Sequence, residues 1–261
     1  MQRQELIREF YENYDEQGRF DFRHGQVEFQ TTMRLIEKYL KPGMRILEIG
    51  AGTGRYSHAL AQKGYPVDAV ELLNKHIREF TALTQPGETV TITQGDARNL
   101  PFSDETYDLT LLLGPMYHLF EEEDQLAALS EAIRVTKKGG VIFAAYCMAD
   151  ASIISYGFMQ GKIRTVIEKK MLDPESFQVI AQNWDVFKLY RTDDIIALRE
   201  KFAVTPLEFA AADGFANCMR ETLAQMDEET FRLYLNYHFA VCTRKDLLGY
   251  SNHTLDIFRK D

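Results

Sequence analysis

The sequence predicts an α/β protein built on a doubly wound, mostly parallel sheet, with helical insertions in its second half. The first observation is a short apolar run, residues 46–49, that leads directly into glycines at alternate positions. The second is an unbroken alternation of strand and helix patterns over residues 44–146, which a doubly wound sheet requires. The third is the return of strand patterns at residues 204–211 and 253–258, after two stretches without that alternation.

Three glycines, Gly50, Gly52 and Gly54, follow the first predicted strand. A buried parallel strand is a continuous apolar run, and glycines at its carboxyl end let the backbone turn tightly and approach a ligand closely. A dinucleotide-binding fingerprint would need a glycine or alanine at the position where this chain has Arg55. The spacing therefore favours a nucleotide-like cofactor other than a dinucleotide.

The elements that follow the glycines are predicted from their patterns in turn. Apolar residues at helical spacing after Gly54 predict a helix that Gly64 ends. Residues 67–70 predict a second strand that ends at Glu71, where a carboxylate can accept hydrogen bonds from both hydroxyls of a ribose. Further elements are predicted at residues 74–84 (helix), 89–93 (strand), 107–114 (central strand), 121–136 (helix), 141–146 (strand) and 192–202 (helix).

The motif Glu48-x-Gly50-x-Gly52-x-Gly54, followed by Glu71 and Gly95-Asp96, resembles the cofactor motifs of the class I methyltransferases, in particular those that act on small molecules. The resemblance implies a seven-stranded Rossmann-like sheet, S-adenosyl-L-methionine as cofactor and S-adenosyl-L-homocysteine as product. It also implies that Glu71 binds the ribose and Asp96 the adenine amino group, although Gly95-Asp96 is also typical of a simple turn. The residues expected at the cofactor are Glu48, Gly50, Ala51, Gly52, Thr53, Gly54, Glu71, Leu72, Asp96, Ala97, Gly114, Tyr14 and Arg19.

The loop after the central strand reads Gly114-Pro115-Met116-Tyr117-His118-Leu119. Enzymes that methylate base amino groups have Asp or Asn, two prolines and an aromatic residue here, and Gly114 has no side chain to accept a bond from a base. The loop instead resembles that of small-molecule methyltransferases, with Tyr117 and His118 as the expected catalytic residues. His118 has a pKa range suited to a general base, and the alternative is ordinary loop packing.

Four residues are candidates for contacts with the methyl acceptor: Tyr11, Met116, Tyr146 and His238. Core packing is an equal alternative for Tyr146, and a helical apolar stripe through residues 231–238 explains His238 most simply as a core residue. His253 precedes the last predicted strand and is discounted as a site residue.

The amino-terminal segment, residues 10–24, is rich in aromatic side chains and precedes an amphipathic helix at about residues 27–40. It resembles the lid of the family, in which Tyr11 or Tyr14 closes over the methyl donor and Arg19 or Arg23 meets the donor's carboxylate. An amphipathic helix that simply covers the sheet is the alternative.

The chain shows no internal repeat and no Gly/Ser/Pro-rich linker, so one methyltransferase domain is predicted over residues 1–261. Its parts are residues 1–40 (lid and helices), 44–146 (cofactor-binding core), 147–190 and 213–250 (cap insertions), and 192–211 and 251–261 (completion of the sheet).

Composition limits the partners of the protein. The formal charge is −9, and no Lys/Arg cluster is interleaved with aromatic residues, so nucleic acid is not an expected substrate. The sequence has no signal-peptide pattern and no apolar run long enough to span a bilayer, so a cytoplasmic location without a membrane role is expected. Three widely spaced cysteines favour reduced thiols over a disulfide framework or a metal site. The sequence does not decide between a monomer and a homodimer.

Three functions are compatible with these patterns. The favoured one is an enzyme that transfers a methyl group to the N, O or S atom of a small metabolite. The second is a protein that binds the same cofactor as a sensor or regulatory subunit without turning it over. The third, a nicotinamide-dependent oxidoreductase, is disfavoured by Arg55. The identity of the acceptor is not encoded in the cofactor motifs.

Overall fold

The computed structural model of the protein describes residues 3–182 and 184–261. One sheet forms its centre, with the strand order β3-β2-β1-β4-β5-β8-β7, and β6 pairs with β5 off this path. The strands are β1 (Ile46–Ile49), β2 (Val67–Glu71), β3 (Val90–Gln94), β4 (Tyr107–Leu112), β5 (Thr136–Met148), β6 (Leu189–Tyr190), β7 (Val204–Ala211) and β8 (His253–Lys260).

The strands β1 to β5 pair in parallel, and β8 runs antiparallel to both β5 and β7. The predicted fold class is thereby confirmed: seven strands form the continuous path, and the two-residue β6 adds an eighth beside the end of β5. The carboxyl ends of β1, β2 and β4 lie together where the strand order reverses, which is where open α/β sheets bind ligands.

The α helices lie on both faces of the sheet and in the two insertions. They are α1 (Arg3–Glu12), α2 (Arg23–Tyr39), α3 (Arg55–Gln62), α4 (Asn74–Leu83), α5 (Glu122–Val135), α6 (Ala149–Ser152), α7 (Ile163–Glu168), α8 (Thr192–Arg199), α9 (Arg220–Gln225) and α10 (Glu228–Val241). Within the described residues, no helix combines the length and the apolar character needed to cross a membrane.

Alternate residues of the central strands pack against opposite helical layers, because side chains of a strand alternate between its two faces. Leu47 and Ile49 of β1 join a core cluster with residues of α5 and α8. Ile46 joins the other cluster, with residues of α2 and α3. The sheet is therefore covered on both faces, as its apolar strands require.

The junction of α5 and β5 differs from the prediction. The helix was predicted over residues 121–136 and the next strand from residue 141, whereas α5 ends at Val135 and β5 begins at once, with a shift in its pairing to β4 between Tyr107 and Leu109. Gly139 has a φ of 75°, and a Cβ on Gly140 would lie 2.9 Å from the carbonyl oxygen of Asp108. The glycines therefore allow an irregular start of β5. This part of the sequence has neither a helical nor a strand periodicity, so its structure could not be predicted from the pattern.

The second insertion packs against the amino-terminal helices. Val27 of α2 is fully buried in a small cluster with Leu223 of α9 and with Phe231 and Leu235 of α10. Arg23 donates a hydrogen bond to the carbonyl oxygen of Leu223, at 3.3 Å. The amino-terminal segment and residues 213–250 thus form one layer on the same side of the sheet.

Two glycines with the same backbone conformation allow the packing around α3 to be tested. Gly54 and Gly64 have φ values of 86° and 88°, but only at Gly54 would a Cβ meet another group, the Phe80 ring at 2.3 Å. We expect Gly64→Ala to lower the free energy of unfolding by about 1 kcal/mol through backbone strain. Gly54→Ala should lose that amount plus about 1–3 kcal/mol of overpacking. Urea unfolding measures both, and equal losses would contradict this packing.

Candidate active site

A cavity of about 280 Å³ lies at the carboxyl ends of the central strands; it is called the first cavity. The glycine loop after β1, the end of β2, the turn after β3 and the loop after β4 all contribute to its wall. The predicted site residues that line it are Gly50, Gly52, Glu71, Leu72, Asp96, Ala97, Gly114, Tyr117, His118 and Tyr11.

Glu71 is the buried acid at the end of β2, and it holds the glycine loop. Its two carboxylate oxygens accept hydrogen bonds from the backbone N–H groups of Gly52 and Leu73, both at 2.8 Å. Burial acts to raise the pKa of Glu71, but hydrogen bonds from His76, Leu73 and Gly52 outweigh it and lower the pKa. The group is therefore an ionised acceptor in the cavity wall, suited to a ribose.

Asp96 lies in the wall of the first cavity and also closes the turn after β3. Its Oδ1 accepts hydrogen bonds from the backbone N–H of Arg98 at 3.0 Å and from Arg98 Nε at 2.9 Å. Burial raises the pKa of Asp96, and the bonds from Arg98 lower it further than burial raises it. Gln4 of α1 reaches Asp96 Oδ2 across the cavity at 3.4 Å. Asp96 can therefore close the turn after β3 and also contact a ligand in the first cavity.

Four of the predicted cofactor residues do not line either cavity: Glu48 of β1, and Ala51, Thr53 and Gly54 of the glycine loop. Glu48 is 2% exposed and accepts hydrogen bonds from the backbone and the hydroxyl of Ser57, the former at 2.9 Å. Burial raises the pKa of Glu48 to about 8. Glu48 therefore joins the loop to α3 and supports the cavity from below.

His118 and Tyr11 form a hydrogen-bonded pair at the edge of the first cavity. His118 Nδ1 lies 3.0 Å from the carbonyl oxygen of Val186, which can only accept, so Nδ1 carries the proton. In the neutral ring, Nε2 then accepts the hydrogen bond from the Tyr11 hydroxyl at 3.0 Å. Burial, together with the charge of Glu16, raises the pKa of Tyr11 well above its usual value, so the hydroxyl keeps its proton. Tyr117 is anchored separately, by donating to the carbonyl oxygen of Leu113 at 3.0 Å.

A second cavity, of about 690 Å³, adjoins the first. Tyr11, Glu16 and Tyr117 line both cavities. The second cavity extends from the 3₁₀ helix Gly18–Phe20 and α2 to the end of β5, the segment after β7 and the start of β8. The two spaces therefore meet at the loop after β4.

Tyr14 and Arg19, which the sequence placed at the cofactor, line the second cavity instead of the first. Arg19 pairs with Glu28 at 2.5 Å and with Glu16 at 3.2 Å. Tyr14 stacks on Phe10, with the ring centroids 5.3 Å apart. The charge of Arg19 is thus engaged by carboxylates of the protein on the far side of Tyr11.

Three predicted acceptor contacts lie outside both cavities: Met116, Tyr146 and His238. The Tyr146 ring is fully buried and packs on Tyr190, with the centroids 5.1 Å apart. Met116 is fully buried in the core cluster of α5. His238 is 3% exposed and lies 3.3 Å from the carbonyl oxygen of Ala212. Their positions agree with core packing, the alternative that apolar periodicity favoured for His238.

The sequence did not indicate the charged group in the second cavity that consists of Glu28, Asp213 and His253. His253 Nδ1 lies 3.1 Å from Asp213 Oδ2 and 3.4 Å from Glu28 Oε2. These residues come from α2, from the segment after β7 and from the start of β8. These residues are far apart in the sequence, so no local motif brings them together. An acidic residue at a buried position of α2, Glu28, was the only sequence feature that could have pointed to the group.

The matches to known proteins agree with this geometry. Residues 46–140 match the family model described as a methyltransferase domain. A demethylmenaquinone methyltransferase of Thermobifida fusca is 32% identical over 115 residues, 42% of this chain and 46% of the relative. A 2-methyl-6-phytyl-1,4-hydroquinone methyltransferase of Synechocystis is 28% identical over 130 residues, 49% of this chain and 38% of the relative. Each match spans less than half the length of these curated relatives.

Two solved structures share the fold over most of the chain. A structure described as a SAM-dependent methyltransferase of Thermotoga maritima superposes with a TM-score of 0.59 at 18% identity, covering 100% of both chains. A structure of SAM-dependent methyltransferases from Methanosarcina mazei has a TM-score of 0.57 at 18% identity and covers 87% of this chain and 96% of its own. At these identities the likeness concerns the fold.

The fold, the glycine loop and the acid at the end of β2 define a cofactor-binding domain of the class I type. Residues 46–140 are similar to a methyltransferase domain, and the sheet around them has the fold seen in SAM-dependent methyltransferases. S-adenosyl-L-methionine is the cofactor of this family.

The residues at the first cavity fit this cofactor. An ionised carboxylate, Glu71, faces the space where a ribose would bind, and Asp96 lies farther along the same wall. Gly50 and Gly114 approach so closely that a Cβ on Gly50 would lie 2.6 Å from Pro115, and one on Gly114 would lie 3.1 Å from the Gly50 carbonyl oxygen. Both glycines are thus needed to shape the wall.

Replacing the acid at the end of β2 tests whether it binds the cofactor. We expect Glu71→Gln to weaken the binding of S-adenosylhomocysteine by about tenfold or more, since hydrogen bonds to a charged group contribute about 1.5–3 kcal/mol. Calorimetric titration measures the change, and Glu79→Gln on the outer part of α4 provides a matched control. Unchanged affinity in Glu71→Gln would exclude a ribose contact.

Proposed function

We propose that the protein is an enzyme that transfers the methyl group of S-adenosylmethionine to an N, O or S atom of a small-molecule metabolite. The observation that carries this proposal is the contact of the two cavities at Tyr11, Glu16 and Tyr117. The cofactor would occupy the first cavity and the methyl acceptor the second. The methyl group would then cross where the two cavities meet.

Methyl transfer from a sulfonium is an in-line displacement at an activated carbon, so the protein must chiefly align the two molecules and exclude water. Helix α1 supplies Gln4, Ile7 and Tyr11 to the wall of the first cavity. Lys75 of α4 holds the end of this segment by donating to the carbonyl oxygens of Tyr11 at 2.7 Å and Tyr14 at 3.1 Å. These contacts support a role of the amino-terminal segment as a lid over the cofactor.

An acceptor that carries a proton on its nucleophilic atom needs a base, and His118 is the proposed base. Because Tyr11 Oη already donates to His118 Nε2, the acceptor's proton would pass to the Tyr11 oxygen as the tyrosine proton moves to Nε2. The bond from Nδ1 to the Val186 carbonyl oxygen would then stabilise the cationic ring. Tyr117 would border the transfer point and fix its width.

Two observations support a small molecule as the acceptor. The second cavity, at about 690 Å³, has the size of ordinary small-ligand sites. Two relatives that match part of the chain are described as a 2-methyl-6-phytyl-1,4-hydroquinone methyltransferase and a demethylmenaquinone methyltransferase. The walls here include the ion pair of Arg19 with Glu28, so we expect the acceptor to carry polar groups.

The proposal is tested by incubating the protein with S-adenosylmethionine and sets of amine, phenol and thiol compounds, and measuring release of S-adenosylhomocysteine. Release that requires both the protein and one acceptor class supports the proposal. Saturable binding of S-adenosylhomocysteine without turnover on any class would favour a cofactor-binding sensor.

The role of His118 predicts a separation of binding from turnover. We expect His118→Asn to keep S-adenosylhomocysteine affinity while lowering kcat about 100-fold or more, the usual range for loss of a general base. Tyr11→Phe should show the same separation. His58→Asn, which changes a buried histidine outside both cavities, is the control. Equal loss of affinity and turnover in His118→Asn would contradict the assignment.

A further inference from the structure

A cysteine and a histidine face each other in the second cavity. Cys147 of β5 and His253 of β8 are directly opposed in the antiparallel pairing of these strands, so their side chains lie on the same face of the sheet. Both residues line the second cavity.

Asp213 fixes the orientation of this imidazole. Asp213 Oδ1 accepts from the backbone N–H of His253 at 3.0 Å, and Oδ2 lies 3.1 Å from His253 Nδ1. Ser251 adds a third bond, from its hydroxyl to Asp213 Oδ1 at 2.7 Å. Since Nδ1 is engaged by the carboxylate, Nε2 is the nitrogen left for the thiol of Cys147.

The charges around His253 favour its protonated form. Glu28 of α2 and Asp213 face the ring, Arg19 faces Glu28 from the preceding 3₁₀ helix, and the Tyr117 ring lies 6.4 Å from the imidazole between centroids. Burial lowers the pKa of His253, but Glu28, Cys147 and Asp213 together raise it well above its usual value. Burial acts to raise the pKa of Asp213, but the hydrogen bonds from His253 and Ser251 outweigh it, so the pKa of Asp213 is lowered overall. The imidazole is therefore suited to take up the proton of the neighbouring thiol.

We propose that Cys147, His253 and Asp213 form a thiol–imidazole–carboxylate group, and that Cys147 is a nucleophile for small α,β-unsaturated carbonyl compounds in the second cavity. The thiol proton passes to His253 Nε2, and the sulfur adds to the β-carbon of the alkene. The imidazolium then returns the proton to the α-carbon, so a C–S and a C–H bond form and no group leaves. This chemistry is separate from methyl transfer and does not depend on it.

The protein contains its own controls for this chemistry, Cys218 and Cys242. Burial, reinforced by the charge of Asp213, raises the pKa of Cys218. Burial, with Glu208 as the next cause, raises the pKa of Cys242, whose Sγ contacts the carbonyl oxygen of Phe239 at 3.6 Å. Both thiols should react slowly near neutral pH, because the thiolate is the reactive form.

The experiment is alkylation of the intact protein with acrylamide, a small uncharged member of the proposed class, between pH 6 and pH 9. Peptide mass spectrometry gives the rate at each cysteine separately. We expect Cys147 to react at least about tenfold faster than Cys218 and Cys242 at pH 6.5, because only Cys147 has an imidazole opposite it that can take up its proton. Equal rates at the three cysteines, or Cys147 as the slowest, would overturn the proposal.

Two variants separate activation of the thiol from simple access. His253→Gln and Asp213→Asn should slow the alkylation of Cys147 to the rate of the other thiols, while Asp227→Asn, at the start of α10, should leave it unchanged. Cys218 and Cys242 report folding in the same samples, because all three thiols would become fast in an unfolded variant. Unchanged alkylation of Cys147 in folded His253→Gln would overturn the proposal.

A divalent cation is the competing occupant, because one ligand atom each from Glu28, Asp213 and His253 lie within 4.8 Å of one another. Titration with MnCl₂, followed by electron paramagnetic resonance, distinguishes the two. The proposal predicts no stoichiometric binding to the wild-type protein. One tightly bound ion that Asp213→Asn abolishes would make Nδ1 a metal ligand and overturn the proposed group.

Discussion

The bond network of Glu71 is the constraint on which the site depends. This buried carboxylate joins the end of β2 to the glycine loop after β1 through the N–H of Gly52, and to the start of α4 through the N–H of Leu73. The end of β2, the glycine loop and the start of α4 are thereby fixed around one acceptor group. A protonated Glu71 would leave these donors poorly paired, and the hydrogen bonds that lower its pKa keep it ionised. The same charge suits Glu71 to the ribose contact that we propose.

The second organising feature is the layer formed by the amino-terminal segment and residues 213–250. Tyr11 closes the first cavity and borders the second, and its hydroxyl is held by His118. The walls of the two cavities differ. The first cavity is shaped by the backbone and by glycines. The second contains two largely buried ion pairs, Arg19 with Glu28 of α2, and Asp213 with His253 at the start of β8. In the proposed function, a common cofactor would bind in the first cavity and the individual second cavity would select the acceptor, so that one fold can serve different acceptors.

The sequence predicted the parallel half of the fold well, because apolar runs, glycine turns and helix caps are local signals. In the antiparallel part, strand β7 was also predicted with its observed ends, residues 204–211. The candidate site was predictable where it lies at the ends of the strands and on the loops that follow them, as with Glu71 and Asp96, which both line the first cavity. Glu48 was found by its motif, yet its place under the loop depends on packing against Ser57. The Asp213–His253 pair, 40 residues apart in the chain, arises from tertiary contacts alone and gave no local pattern.

A crystal structure with S-adenosylhomocysteine bound tests the central claim most directly. The account predicts the ribose hydroxyls on Glu71, the adenine beside Asp96, and the sulfur pointing to the place where Tyr11 and Tyr117 separate the two cavities. A ligand whose sulfur faces away from the second cavity, or whose adenosyl group lies among Arg19, Glu28 and His253, would contradict it.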